Sequence, residues 1–572
     1  MSFRGALPAS SRGGLTIFWA CLIIALIWAG IYLPGLGSVQ LEHEEPRRAL
    51  PALHMLATGD WLVPRVGANP YLSKPPLLNW LIALSFKFTG GKSEWAVRLP
   101  SVVATLALAI SAVAIGGGRW LGAEGGLLAA IFFLTNITMI ESGRLAEIEA
   151  LYTSLTGIAL VLWMTSWRQG ANKWWLWLSP APFLALAMLA KGPTHLFFFY
   201  GIALPVLVLG KDLTALRHPA HWLALVLVFG GFLIWAIPCS IAIASDHPAE
   251  VWRVWSRQIG SRMSASPGEH FHFLVWLLNW PQTLKNFLPW TLLLPLLWRR
   301  EITMQIGESE NLSQREQPLF RGARWGMVFT SVVMSLLPNG SPRYIYPLLI
   351  VPCLLLGRAL TVSGDGVHPC WLASIWKRLN LGLLSIVGAA ILVVPFITPG
   401  GLRLLLYTLT AAVLALAAIL YSVGDRVPDT TPSCLPQVVS GFLRLALTTA
   451  VVTVLAMVVY SLAVIPRINS FNGNRAREVA DSIRSAIPAH VELWVQEGIY
   501  QPFWYYLEPE VRYFQSVSEI PSQARYFLLP ASQAAIFSKD GAWHGVPPVL
   551  KKEITDNQSR NFVLLERKPS PG

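Results

Sequence analysis

Apolar runs close to twenty residues long, separated by short polar stretches, set the pattern of this chain. They predict helical spans near 15–37, 97–117, 122–140, 150–166, 174–190, 194–210, 221–241, 284–298, 325–338, 343–360, 379–397, 402–421 and 443–465. Each run is long enough, or nearly so, to cross roughly 30 Å of hydrocarbon at about 1.5 Å per residue. The expected fold is an α-helical polytopic membrane protein with about thirteen transmembrane helices.

Two connections are far longer than a plain turn, 38–96 and 242–283. In the first, "PRRALPALHMLATG" has helical spacing, with Ala49, Leu50, Leu53, Leu56 and Ala57 near one face. It reads as a helix lying along the membrane interface. The second, rich in Trp, Arg and His, has similar character. After residue 465 the pattern changes. "NRAREVADSIRSAI" predicts a helix, "HVELWVQ" a strand, "PFWYYL" a short helix, and "VRYFQ", "RYFLLP" and "NFVLLER" strands. The expected organisation is a transmembrane domain over 1–465 and a small α/β domain over 466–572.

Composition agrees: 54% of residues are hydrophobic and 13% charged, where a soluble domain carries about 25% charged residues. The first run follows Arg4 and Arg12, is too long for a signal-peptide core and lacks a small-residue cleavage site. It is read as a retained span. The net charge of +13 fits cytoplasmic loops and anionic lipid in a chain mostly within the bilayer, and no nucleic-acid partner is expected. The five cysteines form no C-x-x-C pair, so thiolate and zinc-finger chemistry has no support.

With the N-terminus inside, "GGGRW", "SWRQGANKWW" and "SIWKRLN" are basic cytoplasmic loops. An odd span count then puts 466–572 outside. The outside loops carry Arg47, Arg48, Arg65, Lys74, Arg98, Arg144, Lys191, Arg257, Arg262 and Arg343. Translocating such cations opposes the usual bias, and binding phosphate on that side is a direct compensation. Five clusters fall at outside helix ends: "EHEEPRR", "YLSKPPLLNW", "ESGRLAEIEALYT", "LAKGPTHL" and "LPNGSPRYIYP". Charged groups at a membrane surface are costly unless paired or used, so these outline a polar cavity facing outward.

Glu44-Glu45-Pro46-Arg47 after the first span, followed by "LATGDWLVPRV", "YLSKPPLLNW", "WAVRLPS", "LAKGP" and "RYIYP", resembles the aminoarabinose transferase and protein O-mannosyltransferase superfamily. These are GT-C glycosyltransferases that use polyprenyl-phosphate sugars. The resemblance covers essentially the whole chain and is most specific over 41–101. It implies thirteen spans, an extracytoplasmic α/β tail and an inverting transfer from undecaprenyl phosphate. It also implies that Glu44 stands at the catalytic acidic position, usually aspartate, and that Tyr71 and Lys74 hold the donor phosphate. Glu149 matches a second acidic residue, with Glu147 its rival on a different helix face. Arg144 precedes them as a further phosphate ligand, or as an ion-pair partner of Glu149. Lys191 is a site cation or a helix-end residue, and Arg343 and Tyr344 are donor-phosphate ligands. Arg47 and Arg48 orient Glu44 or meet an anionic acceptor. Where the aminoarabinose enzymes often carry glutamate between the Tyr and the prolines, this chain has Ser73.

The chemistry fits these residue types independently. A lipid-phosphate sugar needs its phosphate held and its leaving charge stabilised while an acceptor oxygen attacks the anomeric carbon. Fixed cations can do this, so no cofactor is required. A divalent metal has only "GEHFHF" (Glu269, His270, His272) to recommend it. The expected partners are an undecaprenyl-phosphate-linked sugar, a lipid A, protein or glycan acceptor, and membrane lipids. The expected location is the bacterial inner membrane, with the site facing the periplasm. A transporter would instead show paired interrupted helices in related halves; no such repeat is visible. An assembly subunit leaves the ordered carboxylates and cations unexplained.

Overall fold

The computed structural model describes residues 15–66, 69–244, 277, 282–308, 313–336, 341–362, 370–393, 435–466 and 475–488, with most strands and short helices of 491–567. The span expected at 402–421, the cations Arg257 and Arg262, and Glu269, His270 and His272 lie outside these residues.

The first long helices are α1 (Ile17–Tyr32), α2 (Glu45–Thr58), α3 (Leu77–Thr89) and α4 (Glu94–Ser111). They are followed by α5 (Gly122–Leu134), α6 (Ile137–Ser142) and α7 (Ile148–Arg168). A helical stretch runs from Glu94 to Leu134, which as one rod would be about 60 Å long, twice the hydrocarbon thickness. It is two antiparallel pieces. Gly122 has φ 73, in the region that favours glycine, and a Cβ on Gly126 would meet the Gly117 Cα at 2.8 Å. Backbone-on-backbone packing of this kind needs small residues on both helices. The predicted separation of runs at 97–117 and 122–140 reflects this reversal.

Four helical stretches among the described residues are long and apolar enough to cross a membrane: Glu94–Leu134, Ile148–Arg168, Pro219–Ile243 and Phe442–Leu462. The pair Pro342–Leu348 and Ile350–Val362 makes a fifth, bent by 51°. Several predicted runs are shorter or broken. The 174–190 run is split by Pro180 into α8 (Lys173–Leu178) and α9 (Ala181–Lys191). The 284–298 run holds a 3-10 helix, Trp290–Trp298, that contains Pro295. Proline removes an intrahelical donor and clashes with the preceding turn, which explains both departures.

At the centre stands α7, in which every residue except Glu149 is buried. A Cβ on Gly157 would meet Leu108 of α4 at 2.6 Å, so α4 and α7 pack closely. By contrast α11 (Pro219–Ala244) exposes Trp222, Val226, Ile234 and Ile241, the apolar coat expected where lipid is the solvent. At the end of α7 away from Glu149, buried Glu316 accepts hydrogen bonds from Arg168 (3.0 Å) and Trp120 Nε1 (3.4 Å) and pairs with Arg358. That node ties three helical segments to α7.

The α2 helix differs from its expectation. It starts at Glu45, one residue after its N-cap Glu44, and ends at left-handed Gly59. Ala49, Leu50, Ala52, Leu53 and Met55 are buried, as are Glu45 and Arg48. It is therefore packed into the protein on most sides, where the spacing suggests a single apolar face. Ion pairing of its polar residues makes that burial possible.

Residues 475–567 include the helix Arg475–Ala486, the short helix Trp504–Leu507 and a five-stranded sheet. Its strands are β3 (Leu493–Gln496), β4 (Val511–Phe514), β5 (Tyr526–Pro530), β6 (Val549–Thr555) and β7 (Asn561–Glu566), in the order β4-β3-β5-β7-β6. Pairs β3/β4 and β3/β5 are parallel, and β5/β7 and β6/β7 antiparallel. The edge strand β6 is not predicted from sequence, because Lys551, Lys552 and Glu553 blunt its pattern and most of it is exposed. The two-residue strands β1 (Arg65–Val66) and β2 (Asn69–Pro70) form a hairpin in the long first loop.

Candidate active site

The C-terminal end of α1, the N-terminal ends of α2, α4 and α7, and the junction of α9 with α10 (Thr194–Leu209) converge on one end of the bundle. Most of the predicted site residues lie there.

Glu44 is the N-cap residue of α2, but its side chain accepts from no helix amide, so its carboxylate is turned elsewhere. One oxygen accepts from Arg47 at 2.8 Å and the other from Arg48 at 3.3 Å. The i+3 and i+4 spacing of a helix places both arginines on the same flank as Glu44. Arg48, 7% exposed, also donates to the Tyr71 hydroxyl and lies over the Tyr71 ring, 5.6 Å from its centroid. Tyr71 is held in turn by its amide, which donates to the Pro64 carbonyl at 2.7 Å. Glu44, Arg47, Arg48 and Tyr71 thus form one cluster. Glu44 and Arg47 remain roughly two-fifths exposed and can meet a substrate. Lys74, three residues after Tyr71, is half-buried just ahead of Pro75 and Pro76, which lead into α3.

Glu45 does something else. It is 1% exposed and pairs with Arg98 (4% exposed), whose Nε donates to Oε1 at 2.7 Å and Nη2 to Oε2 at 2.8 Å. Glu45 Oε1 also accepts from the Ala146 amide at 2.9 Å. Arg98 donates further to the carbonyls of Leu36 (2.6 Å), Val39 (3.0 Å) and Gln40 (3.2 Å). All the charge of Arg98 is spent inside the protein. Counting it among the outward cations, as the sequence suggests, is therefore a misreading. Its partner, 53 residues away, carries no local signal.

Arg144 is a second correction. Its guanidinium donates to the carbonyls of Ile31 (2.6 Å) and Pro34 at the C-terminal end of α1. Helix-end carbonyls attract cations, and Arg144 anchors α1, not Glu149, which pairs elsewhere. Burial lowers its pKa from the usual arginine value.

Glu149 takes Lys191 as its partner instead, at 2.9 Å. Lys191 lies 5.4 Å from the Tyr152 ring centroid, and the Tyr152 hydroxyl meets the Thr194 hydroxyl at 2.7 Å. Lys191 both ends α9, before Gly192 at φ 90, and holds the Glu149 carboxylate. Glu147 caps α7. Burial and the neighbouring Glu149 carboxylate push its pKa up, while Arg343 and His43 oppose that rise. The structure thus links the predicted clusters: Glu45 touches Ala146, and Glu147 lies in electrostatic range of His43 on one side and Arg343 on the other. Arg343 is exposed and Tyr344 half-buried, both in the 3-10 helix Pro342–Leu348.

A raised carboxyl pKa fixes the sign of a pH effect. A carboxyl that binds its proton more tightly when folded penalises the folded state as pH rises from the ordinary value of 4.5 through the folded one. Glu147→Gln is expected to raise thermal stability at pH 7.5, with the advantage shrinking as pH falls through the raised pKa and gone by about 4.5. Melting curves of both proteins across that range check it, and a pH-independent difference would contradict it.

Beside this end lies an apolar cavity of about 700 Å³, lined by residues that include Leu284, Phe287, Leu294, Met327, Leu348 and Leu349. Ile345, two residues after Arg343, is also in its wall. An apolar cavity with Arg343 beside its wall, in a bundle of apolar helices, suits the class of membrane proteins that handle lipid-linked phosphates, among them the glycosyltransferases that use lipid-linked sugars.

Comparison with known proteins makes the class specific. Residues 73–237 match the dolichyl-phosphate-mannose-protein mannosyltransferase family. The undecaprenyl phosphate-α-4-amino-4-deoxy-L-arabinose arabinosyl transferase of Serratia proteamaculans is 24% identical over 470 residues, 73% of this chain and 78% of that protein. The Yersinia enterocolitica protein of the same name is 25% identical over 382 residues, 65% of this chain and 64% of its own length. The crystal structure of ArnT from Cupriavidus metallidurans bound to undecaprenyl phosphate superposes with a TM-score of 0.65 at 16% identity. That match covers 96% of this chain and 98% of the other. Over most of its length the chain is thus similar to the aminoarabinose transferases and shares the fold of ArnT, and over 73–237 it is similar to the protein mannosyltransferases. Among the described residues no group of three or more His, Cys, Asp or Glu side chains is arranged to hold a metal ion.

Proposed function

We propose that this protein transfers a sugar from undecaprenyl phosphate to an acceptor outside the cytoplasmic membrane, with 4-amino-4-deoxy-L-arabinose and lipid A as the leading pair. The observation that carries this reading is the cavity of about 700 Å³ with Arg343 beside its wall. An apolar volume takes a polyprenyl tail, and a guanidinium takes its phosphate. Names of the relatives support the donor and sugar. The site and residues 466–572 face the periplasm of a bacterial inner membrane on this reading.

In the reaction the acceptor oxygen forms a bond to the anomeric carbon as the bond from that carbon to the phosphate oxygen breaks, inverting the centre. Arg343 and Lys74 offset the charge of the departing lipid phosphate, and Tyr344 and Tyr71 donate hydrogen bonds to it. An acceptor hydroxyl gives its proton to Glu44. An already ionised phosphate acceptor needs no base, and there Arg47 and Arg48 hold it. Glu149, neutralised by Lys191, and Glu147 shape the field around the sugar. Protein or another envelope glycan as acceptor is the second reading, favoured by the mannosyltransferase family match over 73–237.

Filling the cavity tests the donor assignment. Leu294→Trp is expected to lower kcat/KM for the undecaprenyl donor at least about tenfold, since each buried methylene contributes about 0.8 kcal/mol. A water-soluble short-chain donor should be used equally well by both proteins. Equal loss with both donors, or no loss with either, would remove the cavity from the account.

A further inference from the structure

The C-terminal segment meets the bundle at the stretch that delivers Glu44. The Leu41 amide donates to the Tyr506 hydroxyl at 2.8 Å, and that hydroxyl donates on to Glu94 Oε1 at 3.0 Å. Arg477 pairs with the same Glu94 carboxylate and lies 5.4 Å from the Tyr506 ring centroid. One residue before Leu41, the buried Gln40 side chain accepts from the Ala476 amide at 3.2 Å. The contacts span more than 380 positions of sequence, so they exist only when tail and bundle are docked.

Between Leu41 and the α2 helix the chain makes a tight turn. The Glu45 amide donates to the Glu42 carbonyl at 3.0 Å, and His43 takes φ 49, a left-handed conformation uncommon for a residue with a Cβ. Such a conformation persists where its surroundings over-determine it. Here two clamps do so. Arg98 fixes Glu45 on one side and the Gln40 carbonyl on the other, and the tail fixes Gln40 and Leu41. Glu44 sits inside this bracket. Burial and the neighbouring Glu94 push the Tyr506 pKa up, so its hydroxyl stays a donor to that carboxylate.

We propose that Tyr506 and Arg477 are positioning residues for the transfer reaction: the C-terminal segment is a latch that sets where Glu44 stands. The proposal rests on the reading of Glu44 as a reacting group. It gives the tail a part in turnover without contact between the tail and either substrate. Misplacement of a reacting group by about 1 Å can cost on the order of 100-fold in rate, which a loosened turn at His43 would allow.

The test uses the full-length protein in lipid nanodiscs with an undecaprenyl-phosphate sugar. Tyr506→Phe keeps the ring and removes the hydroxyl. It is expected to lower kcat by about 10- to 100-fold, to leave the donor KM within about twofold, and to raise amide exchange over 38–45. Arg477→Gln should behave the same way, and Arg477→Lys, which keeps the charge, should restore most of the rate. Arg512→Gln breaks an exposed pair with Glu492 elsewhere in the tail and serves as the control with unchanged kcat. Wild-type kcat in both Tyr506→Phe and Arg477→Gln would overturn the latch, as would unchanged exchange over 38–45. A fall in folded protein with full kcat per folded molecule would overturn it too. Should Glu44→Gln keep full turnover, the catalytic reading of Glu44 fails, while the exchange measurement still decides whether the tail holds this turn.

Discussion

Arg98→Met will destabilise the folded protein by about 3–5 kcal/mol, the cost of leaving a buried charge without its partner. Glu45 would keep only the Ala146 and Glu42 amides for its two oxygens, in a site where the side chain is 1% exposed. Three carbonyls, at Leu36, Val39 and Gln40, would lose a charged donor as well. The double variant Glu45→Gln with Arg98→Met should recover a large part of the loss. The amide is neutral and still accepts from Ala146, and uncharged replacements of a buried pair are often tolerated. Thermal unfolding of the purified single and double variants checks both statements. A single variant within about 1 kcal/mol of wild type, the value of an exposed pair, would contradict the buried-pair reading.

Glu44→Gln carries the second large effect. With a hydroxyl acceptor it should lower kcat by at least about 100-fold, the lower range for a lost general base. Glutamine keeps the size and one oxygen to accept from Arg47 or Arg48, and the side chain is 43% exposed, so folding should be little changed. With an ionised phosphate acceptor the loss should be smaller, because no proton has to be taken. The ratio of the two losses then reports which acceptor chemistry the site is built for. Equal and negligible losses with both acceptors would take Glu44 out of the reaction.

Much of the site was legible because it is local. Glu44, Arg47 and Arg48 occupy one helical flank, and helical spacing alone brings them together. Tyr71 and Lys74 lie in one loop. What escaped was long-range. Arg98 and Arg144 carry the same charge as Arg47 and stand at similar helix ends. One closes on a carboxylate 53 residues away and the other on carbonyls at the end of α1. No pattern in the chain distinguishes a cation used outside from one spent inside. The Lys191–Glu149 pair and the Glu316 node, with Arg168 and Arg358, were missed as pairs for the same reason.

The fold shows a similar division. Apolar runs located α1, α7, α10 and α11 well, since burial in lipid needs only length and hydropathy. They failed where proline interrupts the helix, at Pro180 and in the Trp290–Trp298 segment. They also failed at β6, whose charged residues answer to its position at a sheet edge. The docking of the tail on Leu41 and Glu94 is a tertiary event with no sequence signature.

The central claim is transfer of a sugar from a lipid phosphate at this site. The most direct measurement places purified wild-type protein in proteoliposomes with radiolabelled undecaprenyl-phosphate aminoarabinose and lipid A. Label moving to lipid A, at a rate that falls when Arg343 is replaced by glutamine, is the predicted result. Label that stays on the polyprenyl phosphate with lipid A, protein and glycan acceptors alike would contradict the account.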